Sequence, residues 1–130
     1  MPNRRAYLKL ELSKQYAVSK NIQDYVGCTL FSISFGILCT TLQFNDRSIQ
    51  INGNPRYVHD LVDVECDKYN TESLSGIFSL LNEDVEKAEL NADYSTTLFF
   101  SKGRTIVLMS DKSGYECYVL ENASGALSIC

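Results

Sequence analysis

The chain has 130 residues, a net charge of −4, 45 % hydrophobic and 22 % charged residues, enough for one domain with a core that needs no disulfide or metal staple. No apolar run approaches the roughly 20 residues of a membrane span. The start, Met1-Pro2-Asn3-Arg4-Arg5, leads into alternating Leu and charged residues rather than an apolar signal core, so a cytoplasmic protein is expected.

In chain order, residues 7–23 read two ways. Leu8, Leu10 and Leu12 alternate with Lys9 and Glu11 as in a strand, while Tyr16–Ile22 fits one or two helical turns. From Thr29 the period is two: Phe31, Ile33 and Phe35 share one face, Ser32 and Ser34 the other. Gly36 permits a bend, and Leu38–Phe44 returns with Leu38, Leu42 and Phe44 inward. Asn45-Asp46 is turn chemistry, Ser48–Asn52 makes a third strand, and Gly53-Asn54-Pro55 breaks it. A fourth strand is expected over Arg56–Cys66, with Val58, Val62, Val64 and Cys66 on one face and His59, Leu61, Asp63 and Glu65 on the other. Leu74, Ile77, Phe78 and Leu81 then form one helical stripe over about 71–82, with Asn70 or Thr71 as N-cap and Glu72 in the first turn. Strands follow at 85–90, 95–100, 104–109 and 115–121, and 127–129 extends or re-pairs with the last.

The second set of strands echoes the first. Thr40-Thr41-Leu42-Gln43-Phe44 returns as Thr96-Thr97-Leu98-Phe99-Phe100. Leu30, Ile33 and Phe35 align with Val85, Ala88 and Leu90, and Ser48-Ile49-Gln50-Ile51 aligns with Thr105-Ile106-Val107-Leu108. The offset drifts from 55 to 56 to 57 residues, as expected when loops vary around a fixed strand pattern. The expected fold is therefore α+β and mostly antiparallel β. It is a single domain (1–130) of two pseudo-repeated three- to four-stranded meanders, about 26–70 and 81–130, joined by the helix at about 71–82. Exposed edge strands of two meanders invite pairing without setting an oligomeric state.

Catalytic motifs are scarce. The five cysteines (Cys28, Cys39, Cys66, Cys117, Cys130) are odd in number and contain no CxxC pair; free thiols packed as small hydrophobes are expected. The single histidine, His59, has Cys66 and Cys117 as conceivable nucleophilic partners. In one continuous strand, however, an odd separation puts 59 and 66 on opposite faces. Carboxylates are plentiful, at Asp63/Glu65/Asp67 and Glu83-Asp84, but match no EF-hand spacing. The glycines form no GxGxxG or GxxxxGK[ST] loop. No enzyme, cofactor or metal is expected. Most aromatics sit at alternating strand positions and read as core, with Tyr57, Tyr115 and Tyr118 as candidates for an interface rim.

Charge is unevenly placed. Residues 1–59 carry seven Lys/Arg and three Asp/Glu, residues 60–93 two Lys and ten Asp/Glu, and residues 94–130 three of each. The acidic middle is a solvated face or a surface for a basic partner, and it is the opposite of what phosphate contacts need. Asp63, Glu65 and Asp67, projecting from one strand face at spacings of roughly 7 Å, are suited to meet a row of Lys/Arg. Glu83, Asp84 and Glu86 complete the expected partner-binding set.

Two antiparallel units with a helix between them resemble the duplicated layout of Whirly-like folds. The stretches Leu98–Ile106 and Asp111–Leu120, with Gly27-Cys28-Thr29-Leu30 and Ser32–Phe44 in the first half, are similar to small bacterial immunity proteins, including those of contact-dependent growth inhibition systems. The resemblance spans residues 26–130, and its motifs are structural. It implies a cytoplasmic antidote that binds the toxic C-terminal domain of an effector, commonly a nuclease, and blocks its active site or substrate access. The alternative is a single-stranded nucleic-acid-binding module of Whirly-like fold. That module would use the basic N-terminal end (Arg4, Arg5, Lys9, Lys14, Lys20, with Tyr7 and Tyr16 interleaved). Whirly-like relatives bind through basic, aromatic surfaces, from which the acidic middle departs, so no nucleic acid and no membrane is expected.

Overall fold

Alternation of apolar and polar residues over short runs produces ten antiparallel strands among the described residues, and the way they pair is not the way they follow one another. The computed structural model describes residues 20–37, 39–109, 118–122 and 125–129. The expected strand over residues 8–12, the first part of the helical turns expected over residues 16–22, Leu38, Tyr115, Cys117 and Cys130 lie outside them, and residues 20–23 are helical.

The strands are β1 (Ser32–Phe35), β2 (Thr40–Gln43), β3 (Ser48–Ile51), β4 (Arg56–His59), β5 (Val62–Glu65), β6 (Lys87–Leu90), β7 (Thr96–Phe99), β8 (Thr105–Leu108), β9 (Tyr118–Asn122) and β10 (Gly125–Ile129). They form two five-stranded sheets, ordered β1-β2-β3-β9-β10 and β5-β4-β8-β7-β6. Each sheet is a three-stranded meander completed by a hairpin from the other half of the chain. β3 pairs with β9 (Ser48 opposite Glu121) and β4 with β8 (Arg56 opposite Val107). The mostly antiparallel, helix-poor class is as expected. The composition of each sheet is not, because the fourth strand of each half leaves its own meander.

The expected single strand Arg56–Cys66 is a hairpin. Asp60 adopts φ +55° in the two-residue turn Asp60-Leu61, a conformation Asp tolerates better than most residues. His59 thus stands opposite Val62 and Val58 opposite Asp63. Opposed residues share a face, so Val58 joins Asp63 and Glu65, while His59 joins Tyr57, Val62 and Val64.

The helix is also shorter than its stripe. A 3-10 turn, Thr71–Leu74, runs into a single α-turn, Ser75–Phe78. Asn70 stands at the N-cap, but its side chain makes no capping hydrogen bond. The N–H groups of Leu80 and Leu81 donate to Ile77 O (3.1 Å) and Phe78 O (3.2 Å), three residues back. At three residues per turn the buried positions become Leu74, Ile77 and Leu80, and Phe78 swings outward. Asn82, at φ +69°, ends the segment.

Two crossings hold the sheets together. Segments 27–30 and 82–85 run antiparallel: Gly27 N–H donates to Val85 O (2.7 Å), Val85 N–H to Cys28 O (2.9 Å), Leu30 N–H to Glu83 O (3.0 Å) and Asn82 N–H to Leu30 O (2.8 Å). Between them Thr29 bridges Asp84, its Oγ1 donating to Asp84 Oδ1 at 2.5 Å. In the interior, Tyr118 of β9 reaches the other sheet. Its fully buried hydroxyl lies 2.6 Å from Thr96 Oγ1 of β7 and donates to Tyr94 O at 2.8 Å. One apolar cluster spans the two sheets, with Leu42, Ile49, Ile51 and Leu120 from one and Ala88, Leu98, Ile106 and Leu108 from the other. Each large side chain buried there contributes about 1.5–3 kcal/mol.

Two predictions follow from this packing. A Cβ on Gly76 would fall under 3.0 Å from three carbons of the Tyr57 ring. Gly76→Ala gains about 1 kcal/mol of helix propensity but forces apart a closed contact at about 1–3 kcal/mol, so the urea midpoint should drop; an unchanged or raised midpoint would contradict this packing. The second prediction concerns alkaline pH. Burial pushes the Cys66 thiol up from 9.0 to about 11 and the Tyr118 phenol up from 10.0 to about 12. The unfolded chain therefore loses these protons first. The stabilisation is complete below pH 9 and declines as pH rises through about 9–12, by on the order of 2–3 kcal/mol per group. In Tyr118→Phe, stability at pH 8 should fall by about 1–3 kcal/mol, since Thr96 and Tyr94 lose a partner. The part of the alkaline decline above pH 10 should shrink with it.

Candidate protein-interaction surface

The six carboxylates expected to bind a partner fall into two groups. Asp63 and Glu65 lie on β5, one edge of the second sheet; Glu83, Asp84 and Glu86 lead into β6, its other edge. Four inter-strand steps separate these edges, about 19 Å.

Within the first group, hairpin register sets the partners. Asp63 stands opposite Val58, two pairs from Arg56 and on the same face, and its Oδ1 accepts from Arg56 Nε at 2.8 Å. Glu65, directly opposite Arg56, accepts instead from Asn54 Nδ2 at 3.3 Å and is exposed. Asp67 leaves the row: its Oδ1 accepts the Tyr69 N–H at 2.9 Å, and its own N–H donates to Ser73 Oγ at 2.9 Å, in the turn before the helical segment. The expected ladder of three acids is thus an ion-paired Asp63, an outward Glu65 and a turn-forming Asp67. At the hairpin tip Leu61 is fully exposed beside half-exposed Val62, and Asp60 Oδ2 lies 3.5 Å from His59 Nε2. This apolar, acid-flanked tip escaped the sequence reading, which placed Leu61 in mid-strand. The signal available was Asp60, a residue suited to positive φ, between two runs of valine.

The second group is partly structural. Glu83 accepts from Arg104 Nη2 at 3.1 Å and from Ser101 Oγ at 3.2 Å, and the Arg104 bond holds its carboxyl below the usual range. Arg104 is itself mostly buried and also donates to Ser79 O at 3.2 Å. Asp84 is tied to Thr29 at the sheet crossing. Glu86 is exposed and in no ion pair with the described residues.

The wider electrostatics are one-sided. The described residues include seven Lys/Arg and thirteen Asp/Glu. Four of the seven cations are ion-paired: Arg47 with Asp46, Arg56 with Asp63, Lys87 with Glu89 and Arg104 with Glu83. Lys68 Nζ donates to the carbonyls of Gly36 and Ile37. Of the basic N-terminal residues, Lys20 is described and exposed, while Arg4, Arg5, Lys9 and Lys14 lie outside the described residues.

The proposed aromatic rim is differently placed. Tyr57 and Tyr118 are core residues. Among the described residues the exposed rings are Tyr69, which Lys68 Nζ overlies at 5.2 Å, Phe31, and Phe78, packed edge-on to Phe35 at 6.0 Å.

The hairpin also alters the reasoning about His59 and Cys66. Cys66 N–H donates to Pro55 O at 2.8 Å, continuing the β4–β5 ladder, so by parity Cys66 shares the His59 face. The two stand at opposite ends of the hairpin, four residues or about 13 Å apart along the strand. The Cys66 thiol is buried and pushed up to about 11, the reverse of an activated nucleophile. Iodoacetamide at pH 8 should therefore modify Cys66 more slowly than half-buried Cys39; faster labelling of Cys66 would show a reactive thiol instead. No protein-family model, curated protein or solved structure matches this chain.

Proposed function

We propose that the protein is an immunity protein, a stoichiometric antidote that binds a cognate bacterial toxin domain, most simply a nuclease, and blocks its active site or substrate access. The observation that carries this reading is the excess of anions: thirteen Asp/Glu against seven Lys/Arg, five of the seven already engaged. A nuclease needs a basic cleft for phosphates, and an acidic shell complements it in charge, which speeds association and discriminates against wrong partners.

The β4–β5 hairpin is the contact element. Leu61 and Val62 supply apolar area at its tip, and Asp60, Asp63 and Glu65 frame it. A Whirly-like duplication is the finer reading of the fold. It is supported by strand starts at Ser32 and Lys87, Thr40 and Thr96, Ser48 and Thr105, offset by 55, 56 and 57 residues, and by the reciprocal placing of the hairpins. The single-stranded nucleic-acid reading has the described surface charge against it.

The test is to mix the protein with the C-terminal domain of the product of the adjacent gene, with nuclease activity of that domain as a second readout. A one-to-one complex should form and abolish nuclease activity, with an association rate that falls as salt rises. Glu65→Lys should slow association by roughly tenfold. The absence of any complex at micromolar concentration would overturn the proposal, as would a single-stranded oligonucleotide bound at physiological salt in its place.

A further inference from the structure

Among the described residues four strands end the two sheets: β1 and β10 in one, β5 and β6 in the other. β1 and β6 hold matching places, each the outer strand of a three-stranded meander, and they are built alike. Phe31 N–H donates to Gln43 O (2.8 Å) while Ser32 stands opposite Gln43; Glu86 N–H donates to Phe99 O (2.8 Å) while Lys87 stands opposite Phe99. Both set two residues against one, as a bulge does. At the far end Gly36 N–H donates to Cys39 O (2.7 Å) and Asn91 N–H to Ser95 O (2.8 Å).

The two edges differ in what guards them. Along β6 the solvent-side residues are Glu86, Lys87 and Glu89; at the matching places on β1 they are Phe31, Ser32 and Ser34. β5 carries Asp63 and Glu65. Charged side chains on edge strands oppose sheet-to-sheet pairing. Between Asp24 and Asp46 the sequence contains no charged residue at all.

We infer that β1 is the seam of a two-fold homodimer, pairing antiparallel with β1 of a second copy about Ser34 and joining two five-stranded sheets into one. Hydrogen-bond parity sets this register. Gly36 N–H points toward β2, so Ser34 and Ser32 direct their main-chain groups the same way, while Ile33 and Phe35 direct theirs to the side of β1 away from β2, which no described strand covers. Centred on Ser34, Ile33 of one copy meets Phe35 of the other as a hydrogen-bonded pair. The outward N–H and C=O groups of both residues are then satisfied within the four-residue strand.

Side chains agree with that register. Ile33 and Phe35, half-buried against the core, extend it across the seam into Phe35 and Ile33 of the second copy. Ser34 faces Ser34, and no charges are opposed. The same two-fold on β6 would set Glu89 against Glu89. Exposed Phe31, Ile37 and Phe78 add apolar area beside the strand. β10, Gly125–Ile129, is also without charge in sequence. Pairing of β1 with β10 of another copy is head-to-tail, though, and yields an open series of oligomers rather than a closed dimer.

The test uses the full chain. Sedimentation equilibrium from about 1 to about 100 µM should show a mass approaching twice 14.6 kDa. Ser34→Glu places like charges face to face on the axis, and should weaken association by roughly tenfold or more. Its far-UV CD should match the parent, because Glu89 is accommodated at the equivalent place on β6. Ser34→Cys tests the register: facing Cα atoms in a non-hydrogen-bonded pair lie about 4.5 Å apart, within the roughly 4.4–6.8 Å that a disulfide spans. Mild oxidation should give a 34-to-34 cross-link by peptide mapping, and Ser32→Cys, opposite Gly36, should give far less. Each of four results overturns the inference: a monomer at the highest concentration, an open-ended series of oligomers, a dimer undiminished in Ser34→Glu, or equal cross-linking from Ser32→Cys.

Discussion

The exchange of hairpins between the two sheets is the constraint on which the rest of the structure depends. β3 finds its outer neighbour in β9, and β8 finds its own in β4. The paired residues are far apart in sequence, 73 positions for Ser48 and Glu121 and 51 for Arg56 and Val107. Neither meander completes its sheet from its own half of the chain, so burial of each half depends on docking of the other. The Thr29–Asp84 crossing and the Tyr118 hydroxyl reinforce the same dependence, one at the entry to the meanders and one inside the core. Long-range pairing of this kind delays the return on loop-closure entropy, which makes folding slow for the chain's size but leaves a core that both sheets share.

That arrangement also explains the surface. The same exchange places β5 and β6 at the two edges of one sheet, and it separates acids that are near neighbours in sequence. Glu83 and Asp84 are drawn into ion pairing and hydrogen bonding that hold the sheets, whereas Glu65, Glu86 and the Asp60-Leu61 tip face water. Charge therefore has two uses here. Some carboxylates fix the fold through Arg56, Arg104 and Thr29, and others present a negative surface and guard edge strands. β1 alone among the edges with described side chains carries no charged residue of its own.

Much of the local architecture is legible in the sequence itself. β6, β7 and β8 lie within the expected runs 85–90, 95–100 and 104–109, because a period of two has one interpretation when one face is buried. The alternation failed where two strands of similar composition adjoin without Gly or Pro. In Arg56–Cys66 the valines run on through Asp60-Leu61, so the turn is hidden, and every facing beyond it shifts. The helical stripe failed for a related reason: a single α-turn, Ser75–Phe78, gains too little from α-helical hydrogen bonds, and 3-10 spacing buries Leu80 in place of Phe78.

Strand positions, the antiparallel class and the imbalance of charge followed from residue order, since side-chain alternation and formal charge are properties of the chain itself. Which strands become neighbours, which acids acquire a cation, and which aromatics end inside were settled only on folding. Those outcomes depend on contacts between residues distant in sequence, 73 positions for Ser48 and Glu121, 51 for Arg56 and Val107, 21 for Glu83 and Arg104 and 22 for Thr96 and Tyr118, and no local pattern encodes the partner. Tyr118 shows the division: its place on a strand was readable, but its burial depended on Thr96 and Tyr94 arriving from the opposite sheet.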